Sequence, residues 1–333
     1  MYLAFYGLDE RPFDLTSDLR FLLLTQKHRE ALAHLEYGTS TGTGITLLIG
    51  EAGTGKTTLL RKVLASRRPS EQSPFLLLTN PALSQYEFFQ FLAEGFLLDS
   101  KGYQSKTSFL REFEALLIRQ QSEGGVCVLA IDEAQSLSDA LLEEIRLLAN
   151  LESETHKLLR VVLAGQPALA RRLNDPAFRQ VKQRVGLRCR LDTLDLVETA
   201  TYIAHRITTA GGRPGDVFQR EAVIAIYKQS GGVPRTINVI CENALLTGFA
   251  LSRQPIDSSV IAEVCHDLDL NPHERGLDAF PPAPAPAMLA PTERLARTAA
   301  RTPAPKPAPL TSLAAAPAPR KLASFPYLRW GRR

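Results

Sequence analysis

The sequence contains no long apolar run. None of its hydrophobic stretches approaches the about 18 apolar residues that a membrane-spanning helix requires. Residues 1–7, MYLAFYG, also lack the basic start and the long apolar core of a secretory signal. These two absences predict a chain without a transmembrane segment and with a cytoplasmic location.

Cysteine is scarce as well. The four cysteines, Cys127, Cys189, Cys241 and Cys265, lie far apart, and no two of them form a C-x-x-C pair. This spacing is not typical of a zinc site or of a disulfide-stabilised scaffold. Three of the four lie in apolar stretches, so we expect buried thiols in a reducing compartment.

Excess positive charge is absent from most of the chain, although the formal net charge is +4. Residues 281–333 hold 9 Lys/Arg and 1 Asp/Glu, which leaves 30 basic and 34 acidic residues, a charge of −4, for residues 1–280. Proteins that bind duplex DNA strongly neutralise its phosphates with Lys and Arg. The charge of residues 1–280 therefore argues against strong duplex binding.

Residues 271–333 form a Pro/Ala-rich basic tail. This composition favours extended disorder over a packed core. The tail ends on the aromatic and basic string FPYLRWGRR, residues 325–333. On a flexible linker this string suits a docking peptide for an anionic or hydrophobic surface, and a solubilising tail explains it equally well.

One stretch has the pattern of a phosphate-binding loop. The apolar residues 45–49 predict a buried strand and residues 58–64 predict a helix, with the Walker A spacing G-x-x-x-x-G-K-T between them. Backbone N–H groups of such a loop surround a triphosphate at the start of the helix. We expect Lys56 to reach the β- and γ-phosphate oxygens of ATP and Thr57 to offer its hydroxyl to Mg²⁺. The predicted nucleotide-binding residues are Gly50, Glu51, Ala52, Gly53, Thr54, Gly55, Lys56, Thr57 and Thr58.

A second motif follows the apolar run of residues 126–131. Such a run predicts a strand that is buried on both faces. Asp132 and Glu133 follow at its carboxyl end, where open α/β sheets bind their ligands. This is a Walker B pattern, in which Asp132 holds Mg²⁺, directly or through water, and Glu133 polarises the attacking water.

Strands and helices alternate along the first two thirds of the chain. The apolar patterns predict helices over residues 26–37, 85–98, 108–121 and 137–151 and further strands over residues 74–79 and 158–165. Residues 178–191 predict the end of a helix that runs into a last strand. Alternation of this kind indicates an α/β fold with a parallel sheet flanked by helices.

Three further sets of residues are candidates for the site, each with an alternative. Gln166 follows a predicted strand, where it touches the γ-phosphate or orients water, or is only a turn residue before Pro167. Arg184 is the first choice, and Arg179 the second, for an arginine that projects to a neighbouring subunit's γ-phosphate. The alternative for either residue is an ordinary surface charge. His28, Arg29 and Glu30 contact the base, or form a solvated helix face.

From about residue 193 the character of the chain changes to capped helices. The pair Asp195 and Glu198 has the spacing of a capping box. Helices are predicted over residues 219–229, 235–251 and 259–268, with a stop at residues 230–232. We therefore expect an N-terminal arm (residues 1–25), a nucleotide-binding α/β domain (26–192), a small all-helical lid (193–270) and the tail (271–333). Arg235 lies at the base of a lid helix, facing the nucleotide.

Taken together, these motifs resemble those of AAA+ ATPases, a class of P-loop NTPases. More specific strings resemble the ExeA family, the general secretion pathway protein A ATPases. These are YLAFYGLDERPFDLT (2–16), HREAL (28–32), DEAQ (132–135), GQP (165–167) and GGVPRTIN (231–238). The resemblance covers the chain to about residue 270.

The resemblance implies Mg²⁺-dependent ATP hydrolysis by ring-like homo-oligomers that serve bacterial envelope machinery, such as secretion or polysaccharide export. It assigns nucleotide or catalytic roles to Lys56, Thr57, Asp132, Glu133, Gln166, Arg184 and Arg235. It also implies an inner-membrane or secretion-machinery partner and a location peripheral to the inner membrane. The secretion proteins continue into a membrane span and a periplasmic peptidoglycan-binding domain, where this sequence has its Pro/Ala tail, so we expect a cytoplasmic motor or switch.

Two other functions stay open. The ATPase core is also similar to the transposition regulators TniB and TnsC, which assemble on DNA. The basic residues Arg171, Arg172, Arg179, Lys182 and Arg184 support that alternative, although the overall charge does not favour it. A nucleotide-gated scaffold that hydrolyses ATP slowly is the third class.

Overall fold

Five parallel strands form the sheet at the centre of the computed structural model, which describes residues 1–41, 44–66, 73–98, 105–153 and 156–270. The strands are β1 (Ile45–Gly50), β2 (Phe75–Leu78), β3 (Cys127–Ile131), β4 (Leu159–Gly165) and β5 (Val185–Leu191). Their order across the sheet is β2-β3-β4-β1-β5. Ile45 of β1 lies between Val161 of β4 and Val185 of β5. The predicted parallel sheet is confirmed.

Sixteen helices, including short ones, complete the described residues. In the first part of the chain they are α1 (Tyr2–Tyr6), α2 (Gln26–Ser40), α3 (Lys56–Ser66), α4 (Gln85–Gly95), α5 (Lys106–Ser122), α6 (Asp139–Leu148), α7 (Pro167–Arg172) and α8 (Arg179–Gln183). After β5 come α9 (Leu196–Thr209), α10 (Pro214–Val217), α11 (Arg220–Ser230), α12 (Pro234–Ala250) and α13 (Ser258–Asp267). Three 3₁₀ turns, Leu19–Phe21, Ala134–Ser136 and Pro176–Phe178, bring the total to that number.

The three central strands are buried along their whole length, and their alternate side chains divide between two apolar layers. Leu47, Leu129 and Leu163 belong to the layer formed with α4 to α8. Leu48 and Val162 belong to the layer formed with α2 and α3. Because successive side chains of a strand point to opposite faces, helices cover both faces of the sheet.

The helix predicted over residues 137–151 is shorter in the structure. Residues after Glu133 first form the 3₁₀ turn Ala134–Ser136, and α6 then begins after Ser138, whose hydroxyl accepts a hydrogen bond from Leu141 N at 3.2 Å. The serine cap fixes the start of the helix because it satisfies an otherwise free N–H group. The turn between Glu133 and α6 is part of the site described below.

The capping signals of the helical part lie where the sequence predicts them. Asp195 and Glu198 form a capping box at the start of α9. Gly231 ends α11 in the left-handed conformation, with φ of 59°. At Gly232, the carbonyl accepts a hydrogen bond from Leu194 N at 2.8 Å, and a Cβ would lie 1.9 Å from Leu194 O. Glycine is therefore required for the close approach of these two segments.

The N-terminal arm packs into the apolar core of the helical lid. Tyr2, Tyr6 and Phe13 are buried in one cluster with residues of α9, α11, α12 and α13. The Tyr2 hydroxyl donates to Glu242 Oε1 at 2.7 Å, and the Tyr6 hydroxyl donates to the Arg253 carbonyl at 3.0 Å. Arm and lid thus share one core, which lies beside the nucleotide-binding loop.

Two further predictions concern membrane-spanning helices and the state of the cysteines. None of the described helices combines the length and the apolar character that a membrane span requires. All four cysteines are buried and none of them forms a disulfide, as predicted. The predicted tail, residues 271–333, lies outside the described residues.

Candidate functional site

The phosphate-binding loop connects the end of β1 to the start of α3. Gly53, with φ of 79°, adopts a conformation that L side chains rarely take, and a Cβ there would lie 2.6 Å from Arg235 Cβ. Thr54 is fully buried, and its hydroxyl donates to the Glu51 carbonyl at 2.8 Å. The loop is therefore held in a tight turn with its backbone N–H groups at the N-terminus of α3.

Lys56 is folded back onto this loop. Its side chain is only 4% exposed, and Nζ donates to the carbonyls of Gly50 and Glu51 at 3.0 Å each. Burial lowers the pKa of the Lys56 ammonium, while the charges of Glu133, Asp132 and Glu51 oppose that shift. A positive charge is thus kept close to the loop, where a phosphate oxygen can replace the two carbonyl oxygens.

Thr57 and Asp132 join the two predicted motifs. The Thr57 hydroxyl donates a short hydrogen bond to Asp132 Oδ2, and Asp132 Oδ1 accepts from Glu133 N at 2.9 Å. A hydroxyl beside a carboxylate is the oxygen donor pair that Mg²⁺ prefers. In the described part of the chain, no three His, Cys, Asp or Glu side chains converge into a metal cage. The donors present suit a metal that takes its other ligands from phosphates and water.

Glu133 is held by two glutamine amides. Its backbone is in the left-handed region, with φ of 49°, and Oε2 accepts from the side-chain amides of Gln135 and Gln166, the latter at 3.2 Å. Gln135 Oε1 also accepts from the backbone N–H of Gln166 at 3.0 Å. Gln166 therefore lies beside Glu133, as its predicted role requires. Gln135 was assigned no role from the sequence, although it is part of the DEAQ string.

Arg172 fastens the turn that carries Gln135. Its guanidinium donates to the Leu137 carbonyl at 2.6 Å and pairs with Asp139. The same guanidinium lies over the Phe178 ring, 5.1 Å from the centroid. Arg172 thus links the segment after Glu133 to the segment that leads into α8. From the sequence, Arg172 was predicted only as one of the basic residues that support DNA binding.

The structure places the two candidate finger arginines away from the chain's own phosphate-binding loop. Arg184 immediately precedes β5, and its carbonyl accepts from Ile45 N at 3.1 Å, at the start of β1. The loop follows the other end of β1, about 16 Å away at about 3.3 Å per residue. Arg184 and Arg179 are both exposed. Arg184 is therefore available to another molecule at the end of the sheet opposite the loop, and Arg179 is exposed at the start of α8.

Arg235 lies beside the phosphate-binding loop. It is in the first turn of α12, and its backbone N–H donates to the Gly53 carbonyl at 3.3 Å. Its exposed side chain lines the same cleft as Lys56 and Glu133. The lid thus contacts the loop directly through Arg235.

A cleft of about 330 Å³ extends from the loop between the arm and the lid. His28 lines it and is 5% exposed; its Nε2 lies 3.3 Å from the Thr54 carbonyl and its Nδ1 2.8 Å from Thr25 Oγ1. Burial lowers the pKa of His28, so Nε2 donates to the carbonyl and Nδ1 accepts from the hydroxyl. Arg29 and Glu30 are exposed and do not line the cleft.

The far end of the cleft contains a polar chain that the sequence analysis did not identify. Arg206 Nη1 donates to the Tyr202 hydroxyl at 2.9 Å, and that hydroxyl donates to Asn238 Oδ1 at 2.9 Å. Arg206 also donates to the arm carbonyls of Pro12 and Asp14, the latter at 3.2 Å. These contacts join residues that are far apart in sequence, so no local sequence pattern predicts them.

Comparison with known proteins supports the resemblance to AAA+ ATPases and to the ExeA family that the sequence motifs predict. Residues 39–173 match the family model of an AAA domain. Over 254 residues the chain is 37% identical to general secretion pathway protein A of Aeromonas hydrophila, a match that covers 75% of this chain and 45% of that protein. The chain thus spans less than half the length of this relative. The predicted resemblance is confirmed.

Solved structures agree on the fold. Cdc6p of Pyrobaculum aerophilum is 16% identical, with a TM-score of 0.60 and coverage of 78% of this chain and 71% of that one. The RuvB Holliday junction branch migration motor of Thermotoga maritima is 16% identical, with a TM-score of 0.51 and coverage of 75% and 71%. At such identities these likenesses concern the fold alone.

Proposed function

We propose that the chain is an AAA-type ATPase that binds ATP with Mg²⁺, hydrolyses it as a homo-oligomer and serves bacterial envelope machinery. The observation that supports ATP and Mg²⁺ binding is the contact between the Walker A and Walker B residues. Lys56, Thr57, Asp132 and Glu133 converge on one side of the loop through the hydrogen bonds described above. Each of these side chains has the chemistry that phosphoryl transfer to water requires.

Each residue has a distinct task in this proposal. Thr57 and Asp132 would hold Mg²⁺, which supplies charge neutralisation at the phosphates. Lys56 exchanges its two loop carbonyls for phosphate oxygens, and the loop N–H groups bind the remaining oxygens. Glu133 aligns the attacking water and accepts its proton, with Gln166 beside it as the residue that senses the γ-phosphate.

Hydrolysis in this proposal needs a second subunit. Arg184 is exposed at the sheet edge opposite the phosphate-binding loop of its own chain, so it cannot reach that loop. In a head-to-tail assembly, the arginine of one subunit meets the γ-phosphate bound by the next and stabilises the transferring charge. Such an interface closes into a ring when its rotation allows.

The cellular process is proposed from the relative. General secretion pathway protein A of Aeromonas hydrophila matches this chain over 254 residues, which is 75% of the chain. We therefore propose an inner-membrane or secretion/export partner and a cytoplasmic location peripheral to the inner membrane. The buried free thiols are consistent with a reducing compartment.

Regulation of transposition on duplex DNA is the second candidate. The observation that favours it is the series of exposed basic residues Lys182, Arg184, Arg188 and Arg190 along and just before the edge strand β5. Arg190 pairs with Asp192 at 2.7 Å, which reduces its positive charge for a phosphate backbone. The series is therefore a weaker argument than the family relation.

One measurement tests these alternatives. The ATPase rate per subunit is recorded over a range of protein concentrations, with and without duplex DNA at physiological salt, and with Glu133→Gln as the inactive control. A rate that rises with concentration and ignores DNA supports the envelope ATPase. Strong stimulation by DNA supports the transposition regulator. Long-lived ATP occupancy without turnover at any concentration contradicts hydrolysis and supports a nucleotide-gated scaffold.

A further inference from the structure

The short helix α7 is fastened at both of its ends to the turn that follows Glu133. At its start, the backbone N–H of Gln166 donates to Gln135 Oε1 at 3.0 Å. At its end, the Arg172 guanidinium donates to the Gln135 carbonyl at 3.4 Å and to the Leu137 carbonyl at 2.6 Å. Because the helix is held at both ends, it cannot shift without moving the turn.

Close packing between α7 and this turn has the same effect. Leu169 of α7 is fully buried. At Gly165, a Cβ would lie 2.8 Å from Leu169 Cδ2 and 2.9 Å from Gln135 Oε1, so only glycine fits there. Interiors packed this closely have low compressibility and transmit a displacement from one group to the next. The helix and the turn therefore behave as one body.

Arg172 also contacts the segment that leads to the candidate finger. Its guanidinium pairs with Asp139 in the first turn of α6 and lies over the Phe178 ring, 5.1 Å from the centroid. Phe178 ends a 3₁₀ turn, and Arg179, the first residue of α8, follows it directly. Arg184 comes immediately after α8. The same side chain thus bonds to the turn after Glu133 and stacks on the segment before both candidate arginines.

The side chain of Arg172 suits this set of contacts because of its shape. A guanidinium is planar and carries five N–H donors, so it can donate to several acceptors while its face stacks on a ring. A lysine ammonium is a compact charge without a flat face. Arg172 is therefore able to hold the turn, the start of α6 and the segment before α8 in one arrangement.

We propose that Arg172 is a positioning residue that couples Glu133 of its own site to the arginine, Arg184, that the same chain offers to a neighbouring subunit. Gln166, the residue before α7, donates to Glu133 Oε2 at 3.2 Å. When this amide turns to a γ-phosphate, a displacement of α7 reaches Phe178 through Arg172. This inference rests on the proposed hydrolysis between neighbouring subunits.

The test places one substitution in either partner of a mixed oligomer. Arg184→Ala chains supply the nucleotide site without the arginine, and Lys56→Ala chains supply the arginine without a working site. ATP turnover of the mixture is measured with Arg172→Ala in the first chain, in the second chain or in neither. Either placement should lower the rate about tenfold at an unchanged ATP dissociation constant, because contacts of a charged group are lost. An effect in one placement alone, or in neither, would overturn the proposal.

Phe178→Leu distinguishes positioning from a general loss of stability. It removes the ring beneath the guanidinium and keeps the hydrogen bonds of Arg172 to the turn. The rate should fall about fivefold when this substitution is in the chain that supplies the arginine. It should stay within about twofold when the substitution is in the chain that supplies the site. Equal effects in both placements would indicate a merely structural role and would contradict the assignment.

Arg172→Lys tests whether the charge alone is sufficient. The ammonium keeps the positive charge but lacks the planar fork and the face for the ring. This variant should therefore lower the rate in either chain nearly as much as Arg172→Ala does. A rate equal to that of the unsubstituted mixture would show that charge alone matters and would overturn the proposal.

Arg146→Ala is the matched control. Arg146 also pairs with a carboxylate of α6, Glu143, at 2.7 Å. Because exposed ion pairs of this kind contribute little, the control should leave the rate within about twofold in either chain. Co-purification with a tagged partner confirms that each variant enters the mixed oligomer. If Arg172→Ala chains do not enter it, the two placements of Phe178→Leu decide.

Failure of this inference can be told apart from failure of the proposed function. If Lys56→Ala chains without a further change do not restore turnover to Arg184→Ala chains, the proposed hydrolysis between subunits fails, and this inference fails with it. If they restore turnover and Arg172→Ala has no effect in either chain, only the coupling through Arg172 fails.

Discussion

The two ends of the nucleotide cleft are assembled from different kinds of sequence. At the phosphate end, the six consecutive residues 53–58 line the cleft, and their geometry follows from one strand, one turn and one helix. At the other end, the arm supplies Phe21 and the lid supplies Tyr202, Arg206 and Asn238. Arg206 bonds to the Pro12 carbonyl across a separation of 194 residues. The phosphate end is a local motif, whereas the end between the arm and the lid exists only in the folded chain.

This difference shows which parts of a site a short sequence motif predicts and which parts depend on tertiary structure. A phosphate is recognised by backbone N–H groups, so the glycine spacing that shapes the backbone is visible in the sequence. A base is recognised by side chains from any element that reaches it. Substitutions at the phosphate end and its catalytic residues should therefore affect turnover, and those at the arm and lid should affect affinity and stability.

The largest expected effect comes from the candidate finger. Arg184→Ala should reduce ATP turnover by about 10³-fold or more, because the transferring charge loses its partner, while ATP binding is retained. Steady-state turnover is measured alone and after mixing with Lys56→Ala subunits, which carry an intact Arg184 and should restore part of the rate.

Arg188→Ala is the matched control, since Arg188 is an exposed arginine on β5, the edge strand that Arg184 immediately precedes. Its turnover should stay close to that of the unmodified chain. Absence of rescue at every mixing ratio would count against an arginine that acts on a neighbouring subunit.

The next effect concerns the residue that activates water. Glu133→Gln should bind ATP with unchanged affinity and turn it over about 10² to 10³ times more slowly, because the amide cannot accept the proton. Equilibrium binding and single-turnover hydrolysis are measured on the same preparation. Normal turnover by this variant would remove Glu133 from the proposed mechanism.

A smaller effect tests the amide pair around Glu133. Gln135→Ala removes one of the two donors to Glu133 Oε2 and the acceptor of the Gln166 backbone N–H. Turnover should fall by about tenfold, since an interaction of about 1.4 kcal/mol with Glu133 is lost. The ATP dissociation constant should stay unchanged. Gln90→Ala is the control, because Gln90 is exposed on α4 and its side-chain amide donates to Glu94 Oε1 at 2.9 Å, away from Glu133. A change in affinity instead of turnover would show that Gln135 acts on binding.

The smallest effect belongs to His28, which joins Thr25 at the end of the arm to the Thr54 carbonyl of the phosphate-binding loop. The pKa of His28 is lowered in the folded chain by burial, so below the ordinary value of about 6.5 the unfolded chain binds the proton more readily. The stabilising contribution of neutral His28 is complete above that pH and is lost as the pH falls toward the folded pKa. The free energy of unfolding should fall in that window with a slope of up to about 1.4 kcal/mol per pH unit from this group.

Denaturant unfolding of the unmodified chain and of His28→Gln between pH 7.5 and 5, at about half-unit steps, isolates this contribution because glutamine does not titrate. The difference in unfolding free energy between the two should shrink as the pH falls. A difference that is independent of pH would mean that His28 does not titrate in this range.

Much of the fold and of the phosphate end was predictable because the signals are local. The Walker A spacing, the apolar run before Asp132 and Glu133, the capping box at Asp195 and the stop at Gly231 each lie within one element and its neighbours. The strand order, the packing of the arm into the lid and the chain from Arg206 to Asn238 were not predictable, because they depend on contacts between distant segments. Gln135 is an intermediate case: its string was noticed, but its partner Gln166 is 31 residues away.

The burial of the arm in the lid has a practical consequence for anyone who expresses this protein. A shortened chain that starts at Gln26 would lose Tyr2, Tyr6 and Phe13, and it would expose the apolar lid surface that these rings cover. Such a fragment is expected to aggregate even though its phosphate-binding loop is intact. An affinity tag placed before Met1, which is itself fully exposed, leaves that surface covered.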